Sequence, residues 1–255
     1  MNFHLSASSI NTYLRCPRQW EARYLRDIRE PSNAAMLKGT AIDRLASRNW
    51  EQRIRSGRDW NSNDAVEIAR NELADAIDKA GGTSSIEWGE DDRAVTPVEA
   101  AESVSRMATV FITELAPLAA PEAVQQRFEL PTTLGVNVLG YIDAIETAKS
   151  RVIDVKTGNR AMAQVDADRD VQASAYAWAT GLEQVDLFRV IDTPKGKVTK
   201  SEVITTIRRA EANREWFETL AEGVQLGIDH GVFPPSPGWQ CDHCPIRKSC
   251  IGGLS

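Results

Sequence analysis

Histidine is scarce in this chain, with three residues among 255. With only His4, His230 and His243 to draw on, no Cys–His pair offers itself for nucleophilic catalysis. Long apolar runs are missing too. No stretch reaches the roughly 18 residues that a membrane helix needs, so no span is expected. The opening Met1-Asn2-Phe3-His4-Leu5 lacks the basic and apolar regions of a secretory signal, and the cytoplasm follows as the expected compartment. No Gly-x4-Gly-Lys-Ser/Thr motif occurs, which argues against ATP-driven work by the chain itself. Nor is positive charge in excess: 30 Lys and Arg against 36 Asp and Glu give a net charge of -6. A broad electrostatic grip on a polyanion is disfavoured, while a local basic groove stays open. Its candidates are Arg15, Arg18, Arg23, Arg26 and Arg29, then Lys195, Lys197 and Lys200 around a turn, then Arg208 and Arg209. Solvated helix faces explain the same clusters.

What is present reads as one globular domain with a helical insertion. Hydrophobic residues make up 42% and charged residues 26% of the chain, and seven Trp can fill a sizeable core. Ser6 or Ser8 caps a first helix, and Pro17 opens a second. Cys16 lies at the break. Helical spacing recurs over 37–55, over 63–80 (capped by Asn63 or Asp64) and over 99–115, with a loop at 81–97. The period then changes to that of strands over 123–130, 134–145 and 151–156, with Thr132-Thr133 as the first turn. A helix over 164–180, strands over 185–191 and 198–207 around Thr193-Pro194-Lys195-Gly196, and a helix over 211–229 follow. Residues 231–238 form a linker. The order predicts an α/β core. Its expected parts are N-terminal helices 1–30, a helical insertion 31–120, a central core 121–230 and a C-terminal segment 231–255.

The four cysteines are placed unevenly. Three form Cys241-x2-Cys244-x5-Cys250, and the fourth, Cys16, is near the opposite end. Four thiols in a chain of this kind favour metal ligation over disulfides. Their spacing suits a structural zinc or a [4Fe–4S] cluster equally. His243 sits inside the close pair, whose Cys241 and Cys244 already take the near positions.

A second constellation is Asp143, closing Gly140-Tyr141-Ile142-Asp143, with Asp154 and Lys156 in Val152-Ile153-Asp154-Val155-Lys156. On a strand, residues two apart share a face. Asp154 and Lys156 therefore project together, with Ile153 and Val155 opposite. If the strands pair, Asp143 meets Asp154 across a single cation. Phosphodiester hydrolysis needs such a cation, an in-line water and help in deprotonating it. Mg²⁺ and Mn²⁺ take oxygen ligands, and Lys156 would stand beside the water. The bland alternative is a surface Asp–Lys pair on an edge strand. Gln172 and Tyr176, four apart on the following helix, share a face and are candidates to orient water or hold a phosphate. Helix packing accounts for them as well.

These residues resemble the RecB-like branch of the PD-(D/E)XK nucleases, and within it the iron–sulfur exonucleases of the Cas4 and AddB type. The resemblance covers most of the chain. It runs through the opening segment from Ser6 to Pro17, Gly39-Thr-Ala-Ile-Asp43, Gly140-Tyr-Ile-Asp143, Ile153-Asp-Val-Lys-Thr157, Gln172-x3-Tyr176 and the cysteine triplet. It implies a restriction-endonuclease-like core with a C-terminal cluster segment. It implies a [4Fe–4S] cluster on Cys16, Cys241, Cys244 and Cys250. It further implies Mg²⁺ or Mn²⁺ on Asp143 and Asp154, with Asp43 and the Val155 carbonyl as further ligands and Lys156 as the catalytic lysine. Asp43 departs from the family, which usually has histidine there. Aspartate still ligates a hard cation, with altered metal preference or pH dependence, or else it is a helix-surface acid. Glu129 is a further carboxylate on the strand before Asp143. The expected activity is metal-dependent exonucleolytic hydrolysis of DNA, single-stranded or with a free end, in recombination, repair or phage or CRISPR-type DNA processing with partner proteins. The alternative is a catalytically weak DNA-end-binding subunit of such a complex.

Overall fold

The computed structural model describes residues 4–89, 95–193 and 198–251. Five helices come first: α1 (Ala7–Arg15), α2 (Pro17–Tyr24), α3 (Ala34–Ser56), α4 (Ser62–Lys79) and α5 (Pro97–Val110). The strands β1 (Ala123–Pro131), β2 (Asn137–Glu146) and β3 (Arg151–Gly158) follow. After them come α6 (Gln164–Asp168), α7 (Val171–Thr180), β4 (Gln184–Thr193), β5 (Val198–Ile207), α8 (Ala210–Asp229) and α9 (Arg247–Ile251). The sheet runs β1-β2-β3-β4-β5. Only β3 and β4 are parallel, and α6 with α7 makes the crossover between them that a parallel pair requires.

The central strands β3 and β4 are buried on both faces, while the edge strands β1 and β5 are largely exposed. Ile153, Val155, Phe188 and Val190 pack with α3, α4 and α5. Val152, Val185 and Leu187 pack with α1, α7 and α8. The alternation along β3 is the one its sequence predicts. It leaves Asp154 and Lys156 on the α7 side.

Several boundaries differ from the sequence reading, for local reasons. The helix expected over 164–180 is two helices. The Asp170 carboxylate accepts the Gln172 and Ala173 N–H groups at 2.7 and 3.1 Å, which caps a new start. The buried Arg208 guanidinium donates to the Ala167 and Asp170 carbonyls and pins that break. Arg208 is thus a structural cation rather than part of a basic groove. Helix α4 is capped by Asn61, whose Oδ1 accepts the Asp64 N–H, not by Asn63 or Asp64. Helix α5 starts at Pro97 with a Thr96–Glu99 capping box, and a turn of π geometry, Phe111–Leu115, continues it beyond Val110. The connection from β1 to β2 is longer than Thr132-Thr133, because Thr132 closes it against Val136 and Gly135 takes a φ of 78°. The Pro194-Lys195-Gly196 turn and Lys197 lie outside the described residues. No helix among those described is long and apolar enough to cross a membrane.

Candidate active site

The site begins where β2 and β3 part. Their ladder ends at Ala144↔Ile153, so Asp143 and Asp154 stand one step beyond the last pair. There the Asp143 carboxylate takes over from the ladder, its Oδ2 accepting the Val155 N–H at 2.8 Å. Asp154 is buried, and its Oδ1 accepts from Lys156 Nζ at 3.1 Å and from the Tyr176 hydroxyl at 3.4 Å. Its Oδ2 lies 2.9 Å from the same ammonium but has no hydrogen bond of its own. Lys156 also donates to Gln172 Oε1 at 2.6 Å, and the Gln172 amide donates to Tyr176. The sequence-predicted Asp154, Lys156, Gln172 and Tyr176 therefore form one continuous network. Phe128 packs edge-on to Tyr176, with ring centroids 6.0 Å apart. Gly140 of the Gly-x-x-Asp motif is explained here, because a Cβ would run into the Phe128 ring.

Asp43 arrives from the other layer. A Cβ on Gly39 would lie 3.1 Å from Thr157 Oγ1, so α3 crosses β3 closely at that point. Asp43 follows one turn later on the same helix face. It is half-buried, close enough for its charge to act on Asp143 and for the charge of Asp154 to act on it. Glu129 stays apart: it pairs with Arg127 at 3.1 Å. Two contributors had not been singled out from the sequence. One is Asp170, which an N-cap signal before Gln172 announces. The other is Gln125, which hydrogen-bonds the Asp143 carboxylate and carries no sequence signal.

The electrostatics follow from three acids sharing a sheltered place. Burial, then the charge of Asp154, pushes the Asp43 carboxyl up. Burial, then the charge of Asp43, lifts Asp143 to about 6 against the Val155 N–H, Lys156 and Gln125. Burial lifts Asp154 to about 7, with Asp143 adding to it and Lys156 opposing. Burial alone would lower Lys156, but Asp154, Asp170 and Asp143 outweigh it, and the ammonium is held above its ordinary value. Tyr176 is pushed far up by burial and then by the charges of Asp154 and Asp143, so it stays a neutral donor. A hard divalent cation suits this donor set: carboxylate oxygens that repel one another, one of them buried without a hydrogen bond. The side chains are not drawn in around an ion. Among the described residues, no group of three or more His, Cys, Asp or Glu is arranged as a metal site.

The cysteines lie elsewhere. Cys16, Cys241, Cys244 and Cys250 line one cavity, together with Arg18 and Arg247. The Ser236 N–H donates to Cys16 Sγ at 3.4 Å. Burial, then the Cys16 and Cys241 charges, pushes the Cys244 thiol up, against an N–H from Ile246. The four thiols share the lining of one cavity, with an N–H aimed at the Cys16 sulfur, but they are not drawn together as a metal site. His243 is not among the residues lining that cavity and instead lines a larger one with Met36, Lys38 and Trp88.

Residues 4–251 match the family model of the PD-(D/E)XK nuclease superfamily. The chain belongs to that superfamily. Its fold is similar to that of a candidate exonuclease from Eubacterium rectale, with a TM-score of 0.56 at 13% identity, covering 95% of this chain and 87% of that one. LHK-Exo in complex with dAMP also matches, at a TM-score of 0.34 and 12% identity over 87% of this chain and 97% of that one. No curated protein matches the chain significantly.

Proposed function

We propose that this protein is a metal-dependent deoxyribonuclease that digests DNA from its ends. The observation that carries the reading is the buried Asp154 oxygen without a hydrogen bond, beside Asp143 and next to a lysine held charged. Asp143 and Asp154 would hold Mg²⁺ or Mn²⁺, with Asp43 and the Val155 carbonyl as further ligands. When bound, such an ion offsets the charge gathering on the scissile phosphate. Lys156 keeps its ammonium beside the attacking water and steadies the hydroxide as it forms. Gln172 holds Lys156 in place, and Tyr176 holds Asp154. Exonuclease action rests on the resemblance to the Cas4 and AddB type, supported by the fold shared with the Eubacterium rectale protein. The same resemblance assigns the four cysteines a [4Fe–4S] cluster that fastens α1 and α2 to the C-terminal segment. It also points to a free-ended or single DNA strand as substrate and to recombination or CRISPR-adaptation proteins as partners.

The test is degradation of linear and circular single-stranded DNA with Mg²⁺ or Mn²⁺. Lys156→Ala and Asp154→Ala are expected to lower the rate at least about a hundredfold, with circles spared by the unaltered protein. Undiminished cleavage by both variants would remove the assigned site. Tight DNA binding without cleavage under any divalent ion would replace the reading with a DNA-end-binding subunit. A broad absorbance near about 400 nm in anaerobically purified protein, lost in Cys16→Ser, checks the cluster.

A further inference from the structure

Gln125 sits inside β1 with a φ of 50°. Asp27 and Ser150, the other non-glycine residues of positive φ among those described, lie in connections between elements. A side chain in this region of a strand is strained and persists only where its surroundings enforce it. The strain coincides with a change of phase in two strands. Val124 packs toward the α3–α5 core, whereas Phe128 and Leu130 pack toward α1, α7 and α8. Opposite them, Ala144 faces the first core and Ile142 the second. In a regular strand, such residues an even number of places apart would share a face. Between Val124↔Ala144 and Gln126↔Ile142, the pair Gln125 and Asp143 drops out of the ladder.

The side chain of Gln125 spans the same place. Its Nε2 donates to Ser47 Oγ at 2.9 Å, which sets the amide close enough to the Asp143 carboxylate to lower that carboxyl's pKa by hydrogen bonding. Ser47 Oγ in turn donates to the Asp43 carbonyl at 3.1 Å. A carboxylate only accepts, so the amide supplies the proton to Asp143. We infer that Gln125 is a positioning residue. Its strained backbone turns β1 and β2 at Asp143, and its amide ties that carboxylate to the helix carrying Asp43, leaving Asp143 Oδ2 aimed at the Val155 N–H. The consequence for metal binding rests on the proposed function; the consequence for Val155 does not.

Gln125→Ala and Gln125→Gly separate the two roles, since glycine adopts the positive φ freely and lacks the amide. The deciding measurement is hydrogen exchange at the Val155 amide in metal-free protein. Both variants are expected to exchange about tenfold faster there, with the glycine variant no less heat-stable than the parent. Calorimetry should show Mn²⁺ binding weakened about tenfold, with kcat reduced and the KM for DNA unchanged. Unchanged Val155 exchange in the glycine variant overturns the inference. If the parent protein binds no Mn²⁺, the metal reading falls, and Val155 exchange still decides the part played by Gln125.

Discussion

Asp143 carries the conflict on which the site is built. Its folded pKa of about 6 stands above the 3.8 of a free aspartate. For a carboxyl raised in this way, the contribution to stability is present below the free value and is lost as pH climbs through the folded one. The metal-free protein is therefore expected to be less stable at pH 8 than Asp143→Asn, by on the order of 1 kcal/mol. At pH 4 the two should melt alike, because the parent carboxyl is then already protonated. Thermal melts in chelator across that range check this, and the variant should have lost cleavage. At this scale the sequence was legible where neighbours in the chain are also neighbours in space. Asp154 with Lys156, and Gln172 with Tyr176, follow from strand and helix periods. Gln125 does not, since its partners Ser47 and Asp143 are remote in the chain and its conformation belongs to neither period.

At the scale of elements, α7 is the part that presents the network. Its start depends on Asp170, which caps the helix and also acts electrostatically on Lys156. Asp170→Ala is expected to cost about 1 kcal/mol in thermal or urea unfolding. It should also lower kcat, because Gln172 loses its fixed place under Lys156. Asp170→Asn keeps an acceptor for the cap and should recover most of the stability. Comparing unfolding and steady-state kinetics for the two variants separates cap from charge. The type and order of most elements were readable from hydrophobic period and punctuation. The break within 164–180 was not, because the apolar pattern runs through it. It is made by a carboxylate turning back on its own backbone and by an arginine from beyond β5.

At the scale of the whole molecule, two structures hold the ends of the sheet and of the chain. Glu146 and Asp186, both buried, clasp Arg151 at 2.5 and 2.6 Å. Burial pushes the Glu146 carboxyl up, but hydrogen bonds from Arg151 and Lys149 outweigh it and hold it below its ordinary 4.5. A carboxyl lowered in this way stabilises the fold above the free value and ceases to as pH falls through the folded one. Glu146→Gln is expected to destabilise by on the order of 3 kcal/mol at pH 7. Its acid unfolding should be shallower below about pH 4.5, as circular dichroism against pH would show. The chain ends meet where Tyr13 donates to the Val232 carbonyl at 2.7 Å and Cys16 joins the cysteine triplet. Local patterning in the chain was enough to settle the alternation of β3, the Ser6 cap of α1 and the shared face of Asp154 and Lys156, because each depends on residues a few places apart. Folding in three dimensions brings Asp43, which only the family resemblance had grouped with Asp143 and Asp154, across from the helical layer to join them. It alone decided that β1 and β2 change phase at Gln125 and that one Asp154 oxygen is left buried without a hydrogen bond. Those outcomes arise from contacts between layers, and no period in the chain encodes them.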